Sequence, residues 1–155
     1  MFSLSKKDDE KWAAMNGQVA ALVKEKKAAD ALSIARELFE WSRKAYGRKH
    51  RKTVNAANNL GFVLTINGKL DEAESCLLSA LEMTEAVCGK LSMEAALLNA
   101  NLSRLYKSKA EELMALNDTF ARAKAGVGGS GCGRPHKTGA DADVRATKEG
   151  SHVQD

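Results

Sequence analysis

A chain of 155 residues, 44% hydrophobic, 28% charged and 5% aromatic, is the size of one domain or of one domain with a tail. Basic residues exceed acidic ones by only four (24 against 20), and no run approaches the roughly 20 apolar residues that cross a bilayer, so a membrane-spanning class is disfavoured. Charges at Lys6, Lys7, Asp8, Asp9 and Glu10 stand where a secretory signal would be apolar, and Cys76, Cys88 and Cys132 form no disulfide framework, so a reducing, cytoplasmic setting is expected.

Pro135 is the sole proline, and the preceding chain is rich in Ala, Leu, Lys and Glu, which predicts an all-α protein. Apolar periodicity places helices at 7–25, 28–46, 51–67, 70–88 and 92–108, followed by a helical stretch to about 124. In the third of these, Val54, Ala57, Leu60, Gly61 and Leu64 form one stripe. Leu70, Ala73, Leu77, Ala80 and Leu81 form the matching stripe of the fourth. Small residues at Gly61, Ala73 and Ala80 allow close approach of neighbouring helices, while Gly47 and Asn67-Gly68 supply the turns. From Gly126 onward the composition changes. Residues 126–155 hold seven of the twelve glycines and no Leu, Ile, Met, Phe, Tyr or Trp, and their four basic and four acidic residues cancel. Such a segment cannot offset its ordering entropy, so residues 1–125 are expected to fold and 126–155 to form a disordered, flexible tail.

The chain repeats itself. A shift of 42 residues carries Lys27, Ala31, Ser33, Glu40 and Gly47 onto Lys69, Ala73, Ser75, Glu82 and Gly89, and Asn59-Leu60 onto Asn101-Leu102. One period holds two helices and two breaks, which predicts stacked helical hairpins. Asn59-Leu60-Gly61 followed by Gly68, Leu70, Ala73, Ala80 and Leu81 resembles the tetratricopeptide repeat consensus. The 42-residue spacing and the linker Ala45-Tyr-Gly-Arg-Lys-His50 are similar to the longer variety found in kinesin light chains. Arg51 departs from the proline usual after the histidine, and Ser92 replaces that histidine in the next linker. Ala110 stands in the third unit's turn-glycine slot, and Arg122 in that of a small packing residue. That unit reads either as a hairpin or, through Leu102, Tyr106, Leu113, Leu116 and Phe120 with Lys109 intruding, as one long closing helix. The resemblance implies a short right-handed solenoid of about two and a half to three repeats.

It also implies a noncatalytic protein-binding adaptor or assembly factor, whose first helices line a groove for an extended peptide or a partner helix. Carried over residue by residue, the groove positions are Asn55, Asn58, Asn59, Phe62 and Ile66 in the middle hairpin. Asn101, Arg104 and Lys107 follow in the third, and Asn16 and Ala20 in the first. An amide donates and accepts, so these asparagines suit a peptide backbone, and Arg104 suits a carboxylate. The competing reading has Asn59 and Asn101 satisfying backbone groups between helices. The densest charge, residues 43–52, holds six Lys/Arg and no acid, and includes Arg48, Lys49, His50, Arg51 and Lys52. It reads first as a solvated loop, and secondly as an anionic contact with nucleic acid, an acidic partner or a membrane surface. Self-association through exposed solenoid ends is a third option. Catalysis, cofactor and metal have no support: His50, His136 and His152 are scattered, Cys132 and His136 are a lone pair where zinc needs four ligands, and no phosphate loop occurs.

Overall fold

The computed structural model describes residues 5–127. Of the expected tail 126–155, Gly126 and Val127 instead close the last helix, and the rest, with Cys132, Pro135, His136 and His152, lies outside the described residues. The chain divides into two compact units, Met1–Thr119 and Phe120–Asp155. Of the second, Phe120–Val127 are described and are helical. The described residues form five helices, α1 (Lys6–Lys24), α2 (Ala28–Ala45), α3 (Arg51–Ile66), α4 (Leu70–Cys88) and α5 (Met93–Val127). The fold is all-α, a helical repeat. No helix among the described residues is long and apolar enough to cross a membrane.

Local chemistry explains the boundaries. Ser5 caps α1 through a capping box with Asp8. His50 caps α3 with a ring nitrogen, Nδ1, that accepts from the Lys52 N–H at 3.2 Å, and Ser92 does the same for α5 by accepting from the Ala95 N–H at 3.2 Å. Between α3 and α4 the chain turns at Gly68, with φ +72°; the equivalent position between α1 and α2 is Lys26, at φ +60°, where a side chain is strained.

Within the first unit α1 packs on α2, α2 on α3, and α3 on α4. Ala73 and Ala80 are fully buried, as are Leu38, Leu64 and Leu77. A β-carbon on Gly61 would collide with the Leu77 side chain, so the absence of one sets the α3–α4 separation. α5 joins this core through Leu98 and Leu105, both fully buried. The third repeat has no separate second helix: Ala110 lies mid-helix, and α5 runs on through Val127. Nor is Lys109 an intruder. Its ammonium bonds Asp71 at 2.8 Å and also reaches Glu74, which in turn accepts from the Tyr106 hydroxyl at 2.8 Å. Glu74 reads as solvent-facing from the α4 pattern alone, but α5 covers it.

Candidate binding groove

The first helices of successive units lie side by side, and their contacts follow a simple rule. Lys52 of α3 pairs with Asp9 of α1, and Asn59 Nδ2 donates to Asn16 Oδ1 at 2.6 Å. One unit on, Arg51 pairs with Glu94 of α5, and Asn101 Nδ2 donates to Asn58 Oδ1 at 2.8 Å. Every pair is separated by 43 residues. A forward-facing residue thus meets the one just past its repeat equivalent, and the constant offset makes α1, α3 and α5 parallel.

The amide pairs place the predicted residues. Asn58, Asn59 and Asn101 are half-buried and joined to neighbouring helices by side chains, not by backbone groups. Each bond spends one amide hydrogen and one carbonyl, so each pair keeps donors and acceptors for a ligand. The Arg104 guanidinium lies over the Phe62 ring, 4.9 Å from its centroid, and Nη1 reaches Asn101 Oδ1 at 3.4 Å. Beside them is a cavity of about 310 Å³ lined by Asn16, Val19, Ala20, Val23, Asn59, Phe62 and Val63. Asn55 is half-buried one turn before Asn58 and Asn59, and Ile66 is exposed at the end of α3. Lys107 is drawn instead toward Glu111, at 3.9 Å on its own helix.

The tetratricopeptide repeat profile matches residues 13–86 and again residues 52–118, so both placements include the middle hairpin and together they take in α5 as far as Asp118. The chain belongs to the tetratricopeptide repeat family. Comparison with curated proteins and with solved structures gave no match. Tetratricopeptide repeats generally mediate protein–protein interaction, and the family is typically noncatalytic.

In this tetratricopeptide repeat chain, the basic stretch at 43–52 is partly consumed by the fold. Arg43 bonds Glu40 at 2.8 Å, while Arg51 and Lys52 hold Glu94 and Asp9. Lys44, Arg48 and Lys49 remain exposed. His50 stacks on Tyr46 with centroids 4.7 Å apart, and Tyr46 meets the edge of Trp41 at 5.6 Å. The Tyr46 hydroxyl donates to Asp9 at 3.0 Å. Burial first, then that bond, pushes the phenol up to about 12; the Lys52 ammonium, then Tyr46, hold the Asp9 carboxyl below its ordinary range. This corner was legible as charge but not as a cluster, because Asp9 of α1, distant in sequence, joins Tyr46 to Lys52.

Sequence reasoning missed a second cavity, about 460 Å³, between α2 and α4. Phe39, Leu60, Leu64 and Met83 give it apolar walls, and Arg36 bridges it to Glu72 at 2.6 Å. Cys76 lines it, its thiol pushed up to about 11 chiefly by burial, which makes it a poor nucleophile. The repeat pattern carries no signal for this cleft, since Arg36 and Glu72 are not equivalent positions.

Proposed function

We propose that the chain is a noncatalytic adaptor or assembly factor that holds an extended peptide or partner helix against the shared face of α1, α3 and α5. The observation that carries this is the pair of amide bridges, Asn16–Asn59 and Asn58–Asn101. They fix four side chains in register along a face where unused amide donors and acceptors can meet a peptide backbone. Phe62 with its stacked Arg104 adds an apolar contact beside a cation, so a ligand with an acidic group is favoured. Cys76 and Cys88 are free thiols, which suits a reducing compartment such as the cytoplasm.

The alternatives have less behind them. A nucleic-acid contact at 43–52 would have lost three of six cations to internal acids. End-to-end stacking would bring Met93 and Ala100 of one copy against Glu10 and Gly17 of the next, by the same repeat arithmetic. Neither pairing supplies the ion pair or amide bond found at both internal junctions.

Peptide display against the full-length protein tests the reading. Selected peptides should bind Phe62→Ala and Arg104→Ala variants at least about tenfold more weakly, the usual loss for an apolar or charge-assisted anchor, an Asn55→Ala variant a few-fold more weakly, as for a neutral hydrogen bond, and an Arg48→Ala/Lys49→Ala variant unchanged. Selected peptides indifferent to all three groove substitutions would contradict it.

A further inference from the structure

The two linkers that join one unit to the next are repeat equivalents with different tips. Gly47 and Gly89 open them with similar positive φ, +85° and +88°, and His50 and Ser92 close them as helix caps. Between these points, Arg48 corresponds to Lys90 and Lys49 to Leu91, and one residue later Arg51 corresponds to Met93. One tip therefore carries two cations, and the next carries Lys90 followed by the apolar Leu91. They lie on one edge of the first unit, because Arg51 at the start of α3 pairs with Glu94 at the start of α5. Asp9 in the first turns of α1, paired with Lys52, brings the N-terminus of α1 to the same edge.

Leu91 is wholly exposed (102%) and Met93 nearly so (72%). Of the acids near these linkers, Asp9 is held by Lys52, Glu94 by Arg51, Glu40 by Arg43, and Glu85 by Lys90 at 3.8 Å, while Asp8, among the described residues, bonds only Ser5 in the α1 cap. Lys44, Arg48 and Lys49 make no ion pair among the described residues, so even with Asp8 the edge presents a net positive charge beside protruding apolar side chains.

We infer that this edge docks on an anionic lipid bilayer, with Arg48 and Lys49 at the headgroups and Leu91 and Met93 inserted into the interface. The occupant follows from shape and charge. A side chain projecting from a loop tip is suited to entering a soft interface, whereas a peptide is received by a concavity. Apolar tips gain nothing from nucleic-acid phosphates, and no exposed aromatic accompanies them for base stacking, since Tyr46 is half-buried against His50. Surface attraction by a few cations is screened within about 10 Å, and one or two apolar side chains hold weakly, so the two contributions act together. This surface is separate from the α1–α3–α5 groove and does not rest on the groove reading.

Flotation of the full-length protein with phosphatidylcholine vesicles, with and without phosphatidylserine, tests it. Binding should require phosphatidylserine and fall with added salt. Arg48→Ala/Lys49→Ala and, separately, Leu91→Ser should each weaken it roughly tenfold or more. Both sets of residues are exposed, so melting temperatures should not change, and groove variant Asn55→Ala should bind vesicles normally. Absence of binding to phosphatidylserine vesicles overturns the inference. So does binding that Leu91→Ser leaves intact, or a preference for duplex DNA offered in competition that depends on Arg48 and Lys49 alone.

Discussion

Small residues set this fold at its tightest points. Ala73 is fully buried, so Ala73→Leu should force α4 away from its neighbours at a cost of roughly 1–3 kcal/mol. Glu82→Leu, at an exposed position of the same helix, should change stability by about 0.5 kcal/mol or less. Chemical denaturation distinguishes them, and equal losses would mean that α4 is rotated from the orientation described. Lys26 makes the opposite case. It holds a left-handed conformation that Gly68 adopts without strain in the next unit, so Lys26→Gly should stabilise by about 0.5–1 kcal/mol and raise the melting temperature. A lower melting temperature would show that the Lys26 side chain contributes more than its backbone costs. At this scale the sequence was informative wherever a residue type has one structural use. Gly61 and the turn residue Gly68 were legible for that reason. Glu74 was not, because a carboxylate on a helix looks solvated until the helix that covers it is known.

Elements are legible to the extent that breaks punctuate them. Gly47, Gly68 and Gly89 end helices, and the predicted bounds of the first four lie within about one residue of those observed. The sequence left α5 open, since no glycine or proline separates Leu102 from Phe120, and the structure resolves it as one helix. Beyond its apolar contacts and its bridges to α3 through Arg51–Glu94 and Asn58–Asn101, α5 is fastened to α4 by Lys109. Its ammonium holds the Asp71 and Glu74 carboxyls below their ordinary range, and they raise its own. A carboxylate whose folded-state pKa is depressed contributes stability above its unfolded value, near 4, and loses that contribution as pH falls through the folded value. Lys109→Met should therefore melt below the parent at neutral pH. The gap between the two should close as pH is lowered from about 5 toward about 3. A gap independent of pH would mean that the charges at Asp71 and Glu74 do not help to hold α5.

At the scale of the whole molecule, the 42-residue period gave the order of helices and the candidate groove face, but not the pairing across it. Asp9–Lys52, Asn16–Asn59, Arg51–Glu94 and Asn58–Asn101 are one residue off the period, so aligning equivalent positions hides them. The cleft between α2 and α4 and the paired linker tips were hidden for a related reason: each arises from residues that differ between repeats. We propose that ligands bind the face shared by α1, α3 and α5. The most direct measurement is amide chemical-shift mapping of the full-length protein titrated with a display-selected peptide. Perturbations should concentrate at residues 55–66 and 97–107, with the α2–α4 cleft around Phe39, Cys76 and Met83 unmoved. Perturbations confined to that cleft, with Asn58, Asn59, Phe62 and Asn101 silent, would contradict it.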